Sequence, residues 1–229
     1  KTLAELRRII NHNVTDIANV SWITLTYAEN MTDTKQLYKD MDNFRKRLRR
    51  YCTKQGYGDI EYINVVEPQG RGAWHCHMLL IFNQAAPFFP NSKLAELWGH
   101  GFVNIQALRG DIDNVGAYLS AYLGDLPLDD AKRLGMCPET VTHDNLSGDN
   151  VGEVNGKKIL KGWRLRLYPK GVNIYRCSRG IKKPPIKLMT EGECSAMRGS
   201  AKLTYEQTIA VSDGDFNNII NTRYYNTKR

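Results

Sequence analysis

The sequence lacks the paired cysteines of a disulfide framework or a structural zinc site. Its 229 residues include five cysteines, an odd number, and no CxxC pair. They are Cys52, Cys76, Cys137, Cys177 and Cys194. Small secreted domains and zinc ribbons carry closely spaced cysteine pairs. The cysteines therefore favour a protein of the reducing cytoplasm.

Long apolar runs are also missing. The longest uninterrupted run, "MLLIF", is far shorter than the roughly 20 residues that span a bilayer. The N-terminus shows no charged-then-apolar leader, so we expect no signal peptide, no membrane partner and a cytoplasmic location. Because the chain begins at Lys1 rather than at methionine, it is also consistent with a piece of a longer protein.

Positive charge is in excess. The chain has 32 lysines and arginines against 24 acidic residues, and its formal net charge is +8. Such a balance favours an acidic partner, of which nucleic acid is the commonest, although many basic proteins bind none.

The apolar patterns predict an α+β fold with an antiparallel central sheet. The predicted strands are Val20–Ala28, Ile60–Glu67, Ala73–Phe82 and Gly101–Leu108, and the predicted helices cover 32–55, 92–98 and a segment from Asp111 or Asp113 to Gly124. Strand, helix, strand, strand, helix and strand follow one another in the order of a ferredoxin-like split βαβ unit. We expect the helices to pack on the sheet.

The pattern weakens after residue 125. We therefore divide the chain into a core of residues 1–125 and a C-terminal extension of residues 126–229, which is either part of the same domain or a small subdomain. The turn-rich segment 142–158 predicts a loop or a small hairpin. Residues 171–177 predict one more strand, and the last forty residues predict one or two helices.

Two histidines share one face of the third predicted strand. His75 and His77 are two residues apart in "AWHCHMLLIF", so both side chains point to the same side, and Cys76 points to the core. Their backbones lie roughly 6–7 Å apart, which lets both imidazoles reach one cation. Histidine pairs of this kind also occur as hydrogen-bonded structural residues.

Glu67 is the candidate third ligand. If the turn is the three-residue loop from Gly70 to Gly72, Glu67 pairs with His75 and shares its face. With a two-residue loop, Glu67 would point to the other face. Two histidines and one carboxylate suit a divalent metal with open coordination positions, among them magnesium, manganese, zinc and ferrous iron.

Tyr118 and Tyr122 are four residues apart on the last predicted helix, so they share a helical face. Tyrosines are also ordinary members of an apolar stripe. A phenol, whose unperturbed pKa is about 10, becomes a useful nucleophile when a metal neutralises the phosphodiester that it attacks. A metal, a tyrosine and a basic surface together predict a phosphotyrosine-linked nucleic-acid intermediate.

These motifs resemble those of the HUH endonucleases, and among them the rolling-circle replication initiators (Rep proteins) of plasmids, phages and integrated mobile elements. "ITLTY", "HCH" with Glu67, and "YLSAY" are similar to the first, second and third motifs of that family. The resemblance covers about residues 20–125, with a looser likeness in residues 166–185. Many relatives carry a lysine beside the tyrosines, where Ala121 and Asp125 stand here.

The resemblance implies a site-specific single-strand DNA endonuclease and strand transferase. It implies that Glu67, His75 and His77 hold Mg²⁺ or Mn²⁺ in a cleft on one sheet face. Tyr118, or alternatively Tyr122, forms a 5′-phosphotyrosine link. The implied partners are single-stranded DNA or an origin hairpin, with a host or fused helicase as a further partner.

Basic residues outside the motifs are candidates for contacts with DNA phosphates. They are Arg71, Arg176, Arg179, Lys182 and Lys183. Five more basic residues lie between Arg45 and Arg50, and they cannot all line one helical face, so a solvated role is expected for some. Trp74 and Trp98 are candidates for stacking on bases, although Trp74 also fits the core.

Three alternatives remain. A conjugative relaxase or a tyrosine transposase uses the same chemistry. A non-catalytic nucleic-acid-binding module would keep its histidines for structure alone. A small-molecule metalloenzyme would leave the tyrosine pair and the basic charge without a role.

Overall fold

The computed structural model describes residues 2–108, 115–137, 141, 151–154, 156–213 and 216–226. The chain divides into two compact units, residues 1–184 and residues 185–229. The first unit contains a five-stranded antiparallel sheet with helices, so the predicted α+β class is confirmed. Within the described ranges, no helix has both the length and the apolar composition needed to cross a membrane.

The first unit contains most of the regular structure. Its helices are α1 (Thr2–Asn13), α2 (Thr34–Gln55), α3 (Asn91–Trp98), α4 (Val115–Gly124) and α5 (Leu128–Arg133). Its strands are β1 (Val20–Tyr27), β2 (Ile60–Pro68), β3 (Trp74–Phe82), β4 (Gly101–Ala107), β5 (Leu126–Pro127), β6 (Val151–Val154), β7 (Lys157–Leu160) and β8 (Tyr175–Cys177). Short 3-10 helices cover Ile17–Asn19 and Trp163–Leu167. Helix α1 was not predicted.

The central sheet has the strand order β4-β1-β3-β2-β8, and every neighbouring pair is antiparallel. The four predicted strands of the core all occur in it. Strand β8 comes from the C-terminal extension and pairs with the outer edge of β2. The central sheet therefore takes a strand from beyond residue 125, and the division at that residue stays a prediction.

Helices cover the sheet on both faces. Helices α2 and α3 pack on the face that includes Leu25, Cys76 and Leu80. Helix α2 forms because apolar residues recur at helical spacing and Asp33 caps its start by accepting a hydrogen bond from the Lys35 amide at 2.7 Å. Helices α1 and α4 pack on the opposite face, which carries Trp22 and Leu79.

Small residues let α4 approach α1 closely. The Gly116 amide donates to Asn11 Oδ1 at 2.9 Å, and Arg7 Nε donates to Ser120 Oγ at 3.2 Å. A Cβ atom at Gly116 would lie 2.5 Å from the carbonyl oxygen of Arg7. The predicted helix start at Asp111 or Asp113 lies outside the described residues.

A small second sheet has the order β5-β7-β6. Strands β6 and β7 form a hairpin, which confirms the hairpin alternative for the end of the turn-rich segment. Residues 142–150 of that segment lie outside the described residues.

The second unit consists of helix α6 (Glu191–Arg198) and a hairpin of β9 (Lys202–Asp213) and β10 (Phe216–Asn226). One predicted helix is thus confirmed. The prediction missed the hairpin, although β-branched and aromatic residues alternate with polar ones along β9 as in a two-faced strand.

Candidate metal centre

The β2–β3 hairpin places Glu67 directly opposite His75. The Gln69 amide donates to the Ala73 carbonyl at 2.8 Å, which leaves Gly70 to Gly72 as a three-residue loop. Gly72 has a φ of 84°, a left-handed conformation that glycine adopts without strain. The predicted register is therefore confirmed.

The side chains of Glu67, His75 and His77 converge. Each offers one ligand atom, and these atoms all lie within 4.8 Å of one another. His77 Nε2 lies 2.5 Å from Glu67 Oε2. Glu67 and His77 are buried, and His75 is half-buried. The group could therefore hold a metal ion between the hairpin strands.

Strand β1 fixes the orientation of His77. The His77 ring stacks on Trp22, with ring centroids 5.2 Å apart and an interplanar angle of 10°. Thr24 Oγ1 lies 3.1 Å from His77 Nδ1, so the hydrogen bond at Nδ1 leaves Nε2 facing Glu67. Thr24 belongs to the "ITLTY" motif, whose contribution to the centre is thus structural support of a candidate ligand.

His75 is connected to the tip of the hairpin. Gln69 Nε2 lies 3.3 Å from His75 Nδ1, and Arg71 Nε donates to Gln69 Oε1 at 3.2 Å. Arg71 is exposed, so its guanidinium remains accessible to a phosphate beside the centre. This is the position that the sequence predicted for it.

Arg164 also reaches the centre, and no spacing pattern in the sequence pointed to it. Its Nη1 atom lies 2.6 Å from Glu67 Oε1. Its Nε atom donates to the carbonyl of Asp125 at 3.0 Å, just after α4 ends. Arg164 therefore connects the carboxylate of the centre with the end of the tyrosine helix.

The surroundings keep the candidate ligands in forms that bind metals. Burial would raise the pKa of Glu67, but the hydrogen bond with His77 and the charge of Arg164 outweigh it and lower this pKa. Burial lowers the pKa of His75. A carboxylate and a neutral imidazole are the ligating forms of these side chains.

Helix α4 packs on the sheet face that carries the centre. Leu119 and Leu123 belong to the same buried cluster as Trp22, which stacks on His77. Tyr118 and Tyr122 both lie on α4, and their side chains are outside the described part of the structure. Their predicted role in attack stays a prediction.

The other predicted contact residues do not form a single patch. Arg176 lies on β8, with its guanidinium 3.9 Å from the ring centroid of Tyr38 on α2. Arg179 is exposed and lines a cavity with residues of β2, whereas Lys183 lies 3.9 Å from Glu5 on α1. The Lys182 side chain is exposed between them.

Both tryptophans that were considered for base stacking are buried. Trp74 is 2% exposed and Trp98 is fully buried. The prediction that either side chain stacks on DNA bases is therefore wrong, and both serve the core. Cys76 is fully buried on the face opposite the centre, as predicted.

Comparison with known proteins gives one match. Residues 20–126 match a family model of replication-associated proteins, the ORF2 family. The matched segment contains β1, the β2–β3 hairpin and α4. It confirms the resemblance drawn from the motifs and is consistent with a rolling-circle replication initiator. No curated protein and no solved structure was found to match the chain.

Proposed function

We propose that this protein, with its match to the replication-associated ORF2 family over residues 20–126, initiates rolling-circle DNA replication as a metal-dependent nickase and strand transferase. One observation carries the proposal. Glu67, His75 and His77 converge on the sheet face on which the tyrosine helix α4 packs. This arrangement supports a cleft between the two.

The donor set fits a divalent cation. One carboxylate oxygen and two imidazole nitrogens suit Mn²⁺, and Mg²⁺ is the other metal that the resemblance implies. When bound, such a cation neutralises the scissile phosphate and stabilises the departing oxygen. Glu67, His75 and His77 would hold it, and Arg164 would keep its hold on the second oxygen of Glu67.

The chain would supply its own nucleophile. The hydroxyl oxygen of Tyr118, or alternatively of Tyr122, attacks phosphorus and loses its proton to solvent. The bond from phosphorus to O3′ breaks, and O3′ takes up a proton. The products are a 5′-phosphotyrosine link and a free 3′-hydroxyl that primes synthesis. Because the ester bond energy is conserved in the link, attack by a later 3′-hydroxyl reverses the reaction without ATP.

Arg164 acts in this scheme as a positioning residue. It restrains Glu67 Oε1 and the backbone at the end of α4 at once. Relatives often carry a lysine beside the tyrosines, and this chain has Ala121 and Asp125 there. Arg164 provides a fixed positive charge between the centre and the tyrosine helix.

The substrate would be single-stranded DNA or an origin hairpin. Arg71 would contact phosphates beside the centre, and Arg176, Arg179, Lys182 and Lys183 would contact phosphates farther away. A host or fused helicase would unwind the duplex ahead of the primed end. A cytoplasmic location fits this role.

The fold proposal is a ferredoxin-like nuclease core. The order β4-β1-β3-β2, with α2 between β1 and β2 and α3 between β3 and β4, supports it. We keep residues 1–125 as this core and residues 126–229 as its extension, from which β8 and Arg164 return to the core.

The test is capture of the covalent intermediate. A labelled single-stranded DNA pool with a randomised segment is incubated with the protein and Mn²⁺ or EDTA, and adducts are resolved on a denaturing gel and sequenced. We expect a metal-dependent adduct that His77→Ala abolishes. It should also be lost in Tyr118→Phe, in Tyr122→Phe or only in the double variant, which identifies the nucleophile.

Matched variants separate chemistry from general damage. Tyr57→Phe changes a tyrosine outside α4, and His12→Ala changes an exposed histidine on α1. Both should form the adduct at the wild-type rate. DNA binding that is unaffected by EDTA and yields no adduct would replace the proposal with the non-catalytic binding module.

A further inference from the structure

A second basic region lies on the sheet face opposite the metal centre. The segment from Asp42 to Lys54 of α2 and the first residues of β2 border an open groove of about 640 Å³. Its floor is formed by buried side chains of the core on that face, including Leu48 and Met78. The centre faces the other side of the sheet, so the groove is a separate site.

The charge in this groove is almost entirely positive. Five cationic side chains line it, against one carboxylate. They are Arg45, Lys46, Arg49, Arg50 and Lys54. The carboxylate, Asp42, is paired with Arg45. Within the described ranges, Lys46, Arg49 and Arg50 form no ion pair, and all three are exposed.

One of these cations is held in place. Arg45 donates to Tyr62 Oη at 3.0 Å, and its guanidinium lies 5.1 Å from the centroid of the Tyr62 ring. Its side chain is 18% exposed. A fixed arginine beside exposed, unpaired cations loses less conformational entropy on binding phosphate than a wholly flexible set.

The groove continues toward a second basic segment that is distant in sequence. Arg49 and Arg179 line one cavity of about 520 Å³ together with Tyr62. Ser178 holds this segment on β2, since its amide donates to the Tyr62 carbonyl at 3.0 Å and its hydroxyl accepts from the Tyr62 amide at 2.7 Å. Folding thus joins two basic runs around one sheet edge.

We propose that this groove, from Lys54 through Arg49 to Arg179, is a second DNA-binding site that holds the phosphate backbone on the side of the sheet away from the metal centre. The proposal rests on DNA as the substrate of the proposed function. The nine residue steps from Arg45 to Lys54 extend about 14 Å along α2, from a rise of 1.5 Å per residue. At about 3.4 Å per phosphate along one strand of a duplex, this length matches about four phosphates.

Fluorescence anisotropy in EDTA tests the groove without cleavage. The probes are a labelled 30-nucleotide single strand and a labelled 30-base-pair duplex, each titrated at several salt concentrations. Arg49→Gln and Lys46→Gln should each raise the Kd about 3- to 10-fold. Each lost phosphate contact should lower the slope of log K against log salt by about 0.7 for the single strand or 0.9 for the duplex.

Lys93→Gln is the matched control. It removes a lysine on α3 that lines none of these cavities and pairs with Glu96 at the surface. It should leave the Kd and the salt slope at wild-type values. If Arg49→Gln and Lys46→Gln behave like this control, or if the wild type binds neither probe, the groove is not a DNA site.

Adduct formation on a short oligonucleotide that spans only the scissile phosphate separates the two proposals. Arg49→Gln should leave this adduct unchanged, because the groove is remote from the centre. Weaker binding of long DNA by Arg49→Gln without any adduct in the wild type would support the groove and overturn the nickase. Normal adduct with wild-type binding in both groove variants would do the reverse.

Discussion

The carboxylate of Glu67 has a different partner on each oxygen. Oε2 faces His77 Nε2 at 2.5 Å, and Oε1 faces Arg164 at 2.6 Å. Both Arg164 and Glu67 are largely buried, with side-chain exposures of 11% and 6%. Removing one member of a buried ion pair leaves the other charge without compensation, which costs more than losing a surface pair.

Arg164→Met is therefore expected to lower the free energy of unfolding by about 3 kcal/mol, measured by urea denaturation in EDTA. Arg166→Met is the matched control, because Arg166 is exposed and lies over Trp163. It should cost less than about 1 kcal/mol. Adding Glu67→Gln to Arg164→Met should recover part of the loss. Equal losses for the two single variants would contradict the buried pair.

Thr24 supports the centre through one hydrogen bond at His77 Nδ1. Thr24→Val keeps the shape and removes this bond, so the apparent Mn²⁺ affinity should fall about 10-fold, as for other residues that orient a metal ligand. Titration of the DNA-free protein, followed by electron paramagnetic resonance, measures it. Thr26→Val is the control, since the Thr26 side chain forms no hydrogen bond in the described structure. An unchanged affinity in Thr24→Val would remove Thr24 from the centre.

At the scale of elements, the position of α4 depends on its contact with α1. Gly116 and Ser120 face Arg7 and Asn11, and the space at Gly116 is too small for a methyl group. The tyrosine helix is thus placed by a helix that precedes the family-matched segment. Residues 2–13 contribute to the site although none of them is a candidate for chemistry.

Gly116→Ala is expected to destabilise the protein by about 1–3 kcal/mol, because overpacking outweighs the roughly 1 kcal/mol by which alanine favours a helix. Gly192→Ala makes the same change in α6, where an added Cβ meets no atom within 4 Å. That variant should lose no stability. Urea unfolding of the two variants compares them, and equal stability would show that α1 and α4 separate easily.

The hairpin of the centre was predictable because its information is local. Alternation placed His75 and His77 on one face, and the glycines of the turn set the register of Glu67. Arg164 was not predictable, because its contact with Glu67 joins positions almost a hundred residues apart without any periodic signal. The groove escaped for the same reason, since Arg49 and Arg179 meet only after β8 joins the sheet.

At the scale of the whole molecule, the chain divides between Pro184 and Pro185. Exposure peaks just after this boundary, where Ile186 is 80% exposed and Leu188 is fully exposed. Residues 181–190 form no helix or strand. Exposed segments without regular hydrogen bonding are the preferred sites of limited proteolysis.

Trypsin should therefore cut first after Lys187. The bond after Lys183 precedes proline and resists the enzyme, and Lys182 is held by hydrogen bonds from its backbone amide and carbonyl to the Asn13 side chain. Mass spectrometry should show a fragment of residues 1–187, and Lys187→Gln should delay its appearance. The centre and α4 lie in the first unit, so the fragment should form the DNA adduct at the rate of the intact chain. A first cut within α2 or α4, or loss of the adduct on this cut, would show that the two units depend on each other.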